Sequence, residues 1–212
     1  MTTRVILCDD HALIRRGIRD TLAEQPDLEV VGEAGEYGEL RALLRRQGCD
    51  VLVLDINLPG RSGLDVLHTL KEEGSPIRVL VVSMYPEDQY ALRALRAGAY
   101  GYVNKGGDPA QIVAAVRMVA QGRKYITAEM AQMLVENLTA PTAEAAHDKL
   151  SDRELQTLVM IASGKRLADI AEELMLSPKT VSVYRARVLE KLQLANNAEL
   201  MKYALHHGLV SQ

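Results

Sequence analysis

The stretch VLVLDINLPGRSG (51–63) decides how the first part of the chain folds. Its first four residues are apolar without a break, too short for a buried helix and not alternating, as in a strand covered on both faces of a parallel sheet. The run stops on an acid, Asp55, and the chain turns at Pro59-Gly60. The same figure recurs on either side: VILC (5–8) runs into Asp9-Asp10, LEVVG spans 28–32, IRVLVV (77–82) runs into Ser83, and YGYV (100–103) precedes Lys105. Helical stripes lie between these runs: Ile14, Ile18 and Leu22; Leu40, Leu43 and Leu44; Leu64, Leu67 and Leu70; Leu92 and Leu95; Ile112, Ala115, Val116 and Val119. Strand then helix, five times over, predicts a doubly wound α/β domain over residues 3–122, and in the flavodoxin-like order 2-1-3-4-5 of a five-stranded parallel sheet strands one and three would be neighbours.

A further helix is expected from Thr127 to about Asn137, and LTAPTAEAAHD (138–148), small, polar and without apolar period, reads as a linker. Residues 123–147 thus form a helix and an interdomain connection. Beyond them the pattern is purely helical. Ser151 and Glu154 have capping-box spacing ahead of the stripe Leu155, Leu158, Val159 and Ala162. Short helices are expected at Leu167–Leu174, from Ser177-Pro178 to Leu192, and from Asn197 to His206, giving an all-α four-helix domain over 148–210.

The 212 residues, 48% of them apolar, can bury two small cores. Eight Tyr without Phe or Trp argue against an aromatic platform for single strands or sugars. Cys8 and Cys49 cannot supply a disulfide framework or a four-ligand zinc site, and read as buried or half-buried thiols. No run approaches the ~18 apolar residues of a membrane span and no cleavable signal is visible, so a cytoplasmic protein without membrane contact is expected. The net charge of −3 hides a division: residues 1–148 carry 16 Lys+Arg and 21 Asp+Glu, a net −5, while residues 149–212 carry 9 and 7, a net +2.

In an open α/β sheet, chemistry gathers beyond the carboxyl ends of the strands. Asp9, Asp10 and Asp55 occupy such ends on strands expected to be neighbours. Converging carboxylates repel unless a hard cation is bound, and Mg2+ suits oxygen ligands and phosphate. Ser83 adds a hydroxyl and Lys105 an ammonium. This set suits in-line phosphoryl transfer to a carboxylate, with Asp55 as acceptor. His11, beside the acids, is a poor magnesium ligand and reads as a helix-start residue.

With Asp9-Asp10, Asp55 followed by Asn57, Pro59-Gly60, Gly63, Ser83 and Lys105-Gly106 in place, residues 3–122 resemble the receiver domain of bacterial two-component response regulators. The resemblance implies that a sensor histidine kinase phosphorylates Asp55. It also implies that Asp10, Asp55 and the Asn57 carbonyl hold Mg2+ with Asp9 acting through water, and that Ser83 and Tyr102 form a switch pair whose Tyr ring swings inward.

In LADIAEELMLSPKTVSVYRARVLEKL (167–192), Ile170, Ala171, Leu174, Val181, Val188 and Leu192 form the inward side. The opposite face carries Lys179, Val183, Ala186 and Glu190, flanked by Ser182 and Arg187. Its only large apolar residue is Val183, which favours a groove reader over a second packing interface. Ser177 can cap, Pro178 suits the first turn, and Lys179 and Thr180 sit where a helix start attracts phosphate. Leu150-Ser151, Glu154, Gly164, Ile170-Ala171, Leu174, Ser177, Lys179-Thr180-Val181 and Lys191-Leu192 resemble the LuxR-type helix-turn-helix of the NarL/FixJ class. Departures from the class are Tyr184, where many members carry His, and Ala186, where some carry a base-reading Lys. The resemblance implies Ser182, Val183, Ala186 and Arg187 at base edges of double-stranded promoter DNA, and Lys179, Thr180, Arg185 and Lys191 at phosphates. It further implies a homodimer when phosphorylated or DNA-bound, with Leu200, Tyr203 and Ala204 as contact residues, and RNA polymerase as a further candidate partner. A phosphorylation-switched transcription regulator, not an enzyme, is therefore expected. An aspartyl phosphotransferase or phosphatase on a similar sheet, and a receiver that binds DNA without phosphate, are the alternatives.

Overall fold

A computed structural model of the chain describes residues 2–139 and 146–210. They fall into two compact units, Met1–Thr139 and Ala140–Gln212. In the first, β1 (Thr3–Cys8), β2 (Leu28–Ala34), β3 (Val51–Leu54), β4 (Arg78–Ser83) and β5 (Gly101–Asn104) alternate with α1 (Ala12–Ala23), α2 (Tyr37–Arg46), α3 (Gly63–Glu72), α4 (Glu87–Ala97) and α5 (Pro109–Ala120). All pairings are parallel, in the expected order β2-β1-β3-β4-β5. β3, at the centre, is buried at all four positions, as its unbroken apolar run requires. β2, at the edge, has only Leu28 and Ala34 buried and shifts register against β1 between Val5 and Ile6. Ile18 and Leu22 of α1 and Ile112, Val116 and Val119 of α5 pack with Val5, Val53 and Leu80 of the sheet.

Helix α6 (Ala128–Thr139) continues through Leu138 and Thr139, residues expected to begin the linker. It packs on α4, burying Met130, and is preceded by Tyr125, which bridges to Gly101. Residues 140–145 of the expected linker lie outside the described residues, and its end, Ala146–Lys149, is a 3-10 turn.

The second unit contains α7 (Asp152–Ala162), α8 (Leu167–Glu173), α9 (Pro178–Leu192) and α10 (Asn197–His206). The Ser151–Glu154 capping box forms in both directions. α9 and α10 pack against α7, and Leu155, Leu158, Ile161, Ile170, Val181, Val188, Leu200 and Ala204 are buried. The burial of Leu200 and Ala204 corrects their assignment as dimer contacts. One helical turn apart, they form the inward stripe of α10, and the exposed large apolar residues of that helix are Met201 and Leu205. Among the described residues, no helix is long and apolar enough to cross a membrane.

Candidate functional site

Parallel pairing carries the ends of β1, β3, β4 and β5 to one edge of the sheet, where the backbone ties them in sequence. Asp55 N–H donates to the Cys8 carbonyl at 2.8 Å, and Lys105 N–H donates to the Ser83 carbonyl at 2.8 Å. Asp9 and Asp55 are 4% and 3% exposed, and the Lys105 ammonium lies between them, 2.6 Å from Asp9 Oδ2 and 2.8 Å from Asp55 Oδ2. Removing either sign from such a buried cluster leaves charge uncompensated. Burial pushes the Asp55 carboxyl above the ordinary carboxylate range and Asp9 adds to this, while Lys105 and the Asn57 backbone N–H oppose it.

Asp9, Asp10, His11 and Asp55 can each place a ligand atom within 4.8 Å of the others. Oδ1 of Asp10 is buried and accepts no hydrogen bond among the described residues, with His11 Nδ1 2.6 Å away. His11 is the N-cap residue of α1, and its N–H donates to Asp9 Oδ1 at 2.9 Å. Two supports escaped the sequence reading. The Arg15 guanidinium, one helical turn beyond His11, donates to the Asp9 carbonyl. Gly63 lies so close beneath β3 that a Cβ there would stand 2.1 Å from the Asp55 carbonyl oxygen. The motif spacing of Gly63 was visible, but its contact was not.

Behind the acids, Ser83 is buried and its Oγ accepts from Tyr85 N–H at 3.3 Å. The Tyr102 ring is fully buried, and its hydroxyl donates to the Tyr85 carbonyl at 2.7 Å, which Asn104 Nδ2 also reaches at 3.1 Å. Burial raises the Tyr102 phenol well above its usual range, so it remains a donor. Tyr85 stacks on the buried Tyr90 of α4, with centroids 4.6 Å apart. The ring therefore occupies the inward position here, joined to α4 through one loop.

In the second unit the candidate residues stand outward. Ser177 caps α9 by accepting from Thr180 N–H at 3.1 Å, and Pro178 occupies the first turn. Lys179, Ser182, Val183, Ala186 and Arg187 are exposed, while Thr180 and Arg185 are half-buried. Arg185 Nε donates to Asn197 Oδ1 at 2.6 Å. Lys191, expected at a phosphate, donates to Glu154 Oε2 at 2.7 Å and to the Lys149 carbonyl at 3.3 Å. It closes the end of α9 onto the capping box of α7, 37 residues away.

Residues 5–117 match the family model of the response regulator receiver domain, and residues 148–204 match that of bacterial regulatory proteins of the luxR family. The chain is 40% identical over 208 residues to the response regulator GacA of Pseudomonas protegens, covering 98% of this chain and 97% of the relative. It is 35% identical over 206 residues to UvrY of Escherichia coli, covering 97% and 94%. Among solved structures it is similar to RcsB of Salmonella enterica serovar Typhimurium bound to promoter rprA in the presence of the phosphomimetic BeF3-. That match has 26% identity and a TM-score of 0.64, covering 96% of this chain and 98% of the other. A structure of two RcsB dimers bound to two parallel DNAs matches with 25% identity and a TM-score of 0.60 over the same shares.

Proposed function

The chain belongs to the two-component response regulators that join a receiver domain to a LuxR-type DNA-binding domain, and from this we propose that Asp55 is its phosphoacceptor and α9 its DNA reader. As a member of that family it is a transcription regulator, not an enzyme. The observation that carries the Asp55 assignment is the Lys105 ammonium held between Asp9 and Asp55 at the rim of the sheet. A carboxylate oxygen of Asp55 attacks the phosphorus of a phosphohistidine on a sensor kinase, the P–N bond breaks, and an acyl phosphate forms. Lys105 then faces a phosphoryl oxygen in place of one carboxylate contact and stabilises the charge spread over the transferred group.

The donor set fits Mg2+: hard carboxylate oxygens of Asp9, Asp10 and Asp55 converge, and Asp10 Oδ1 is buried beside His11 Nδ1 at 2.6 Å. Asp10, Asp55 and the Asn57 carbonyl would hold the ion, with Asp9 through water, and its charge would offset that of the incoming phosphate. Ser83 turns its hydroxyl toward the new phosphoryl oxygens, which withdraws the acceptor of the Tyr85 N–H. The Tyr85 carbonyl, the Tyr102 hydroxyl and the Tyr85–Tyr90 stack carry the change into α4.

In the second unit, the exposed Ser182, Val183, Ala186 and Arg187 serve base edges, and Lys179, Thr180 and the helix start serve phosphates. Arg185 adds a phosphate contact after leaving Asn197. The Lys191 ammonium, engaged by Glu154, contributes less than its sequence position suggests. With a net charge of only +2 over residues 149–212, one copy binds DNA weakly, and a homodimer supplies useful affinity. Met201 and Leu205 of α10 are the apolar residues open for that contact. This reading places the protein in the cytoplasm beside a kinase and the chromosome.

The test is labelling by acetyl phosphate with Mg2+. The wild type takes one phosphoryl group per chain and Asp55→Asn takes none, with unchanged circular dichroism. Undiminished labelling of the variant would remove Asp55 from the role, and rapid multiple turnover would favour a phosphatase.

A further inference from the structure

Three of the five histidines of the chain meet in one cluster of the second unit. His147, in the 3-10 turn, has its ring centroid 5.2 Å from that of His207, and His207 lies 5.0 Å from His206. Tyr203 of α10 packs at 4.2 Å on His207, and its hydroxyl lies 3.0 Å from His147 Nδ1, 56 residues distant. Tyr203, His206 and His207 also border a surface cavity of about 260 Å³ with Leu194, Glu199 and Lys202. The DNA-reading face of α9 uses none of these rings.

We propose that His147, His206 and His207 form a site for a borderline divalent transition-metal ion of the zinc class. Imidazole is the preferred ligand of such ions, whereas the carboxylates of the receiver suit magnesium. A metal–nitrogen bond of about 2.0–2.1 Å, extended to the ring centre, sets two imidazoles of a tetrahedral ion about 5 Å apart. Both His207 pairs have that separation. The Tyr203 hydroxyl engages His147 Nδ1 at 3.0 Å, which leaves Nε2 as the ring nitrogen for a metal in the tautomer where Nδ1–H donates to the hydroxyl. Burial keeps the Tyr203 phenol above its ordinary range, so it orients His147 rather than ligating as phenolate. As they stand, the three rings do not bring three nitrogens to one point, since the acidic pocket is the one group of that kind among the described residues. His206 and His207 are exposed, so binding would turn their rings until the nitrogens converge on the ion. The bound ion would pin the turn at Ala146–Lys149 to the end of α10.

The experiment titrates the full, tag-free chain with Co2+ in millimolar Mg2+, following the visible absorption of the cobalt and its displacement by Zn2+. One Co2+ per chain with an imidazole-type spectrum is expected, weakening as pH falls below about 6.5, where imidazole protonates. His207→Gln, at an exposed position, should weaken binding at least ~100-fold and Tyr203→Phe about ten-fold, while Asp10→Asn, which removes a receiver carboxylate, should leave the cobalt affinity of the histidine site as it is. The proposal is overturned if no spectrum develops, if the paired His147→Gln and His207→Gln change leaves affinity intact, or if Asp10→Asn abolishes binding.

Discussion

The two functional regions handle charge in opposite ways. In the receiver, Asp9, Asp55 and Lys105 are almost completely buried, and each depends on the others for compensation. On α9, Lys179 and Arg187 stand in solvent at the surface of their helix. The first arrangement couples the proposed chemistry to stability, because its charged groups are part of the packed sheet edge. The second separates them, since a residue reaching for DNA touches little of its own domain.

Substitution of Lys105 tests this contrast most severely. Lys105→Met should slow phosphoryl transfer from acetyl phosphate by about 10²–10³-fold. In chelator it should also destabilise the receiver by about 3 kcal/mol, through the uncompensated Asp9 and Asp55, with Mg2+ restoring part of the loss in urea unfolding. A stable variant in chelator would show that the carboxylates do not need their cation. Gly63→Ala sharpens the same point without altering charge. Its Cβ must displace the Asp55 carbonyl, so a loss of about 3 kcal/mol is expected, with labelling of Asp55 impaired in the folded fraction.

Glu154 is the receiver-like element of the second unit, a carboxylate whose side chain is 4% exposed and held by Lys191 and the Ser151 N–H. Burial alone would raise its pKa, but these partners outweigh burial and hold it below 4.5. The stability that Glu154 contributes is therefore fully present above the unfolded value near 4.5 and is lost as pH falls through the lower folded value. Glu154→Gln should cost about 1 kcal/mol at neutral pH through the weakened cap and flatten the acid limb of the unfolding curve. An unchanged acid limb would mean that the Lys191 clasp is not formed in solution.

The smallest effect on folding is expected for Lys179→Ala, within about 0.5 kcal/mol of wild type. Its signature is in DNA binding, where the logarithmic salt slope should fall by about one. A marked drop in melting temperature instead would erase the distinction between the two regions.

How much was visible beforehand follows the same division. The unbroken run VLVL announced a central strand, and β3 begins and ends with it. Edge strand β2 outran its apolar stretch by two residues, because backbone pairing to β1 continues where side-chain burial does not demand it. The acids at strand ends were legible since parallel topology leaves them nowhere else to go. The clasp of Lys191 on Glu154, the pairing of His147 with Tyr203 and the Arg15 contact to Asp9 were not, for each joins residues whose local sequence carries no mark of the partner. The inward stripe of α10 was misread because Leu200, Met201, Ala204 and Leu205 are all compatible with either face.

The sequence by itself determined the two-part architecture, the succession of strands and helices and the placing of the acids at strand ends, because apolar periodicity and strand-end chemistry are local properties. Tertiary structure alone decided which charges are compensated, which face of α10 is buried, that the Tyr102 ring lies inward, and that three histidines meet. Those outcomes depend on side chains from distant segments competing for the same space and the same hydrogen-bonding partners.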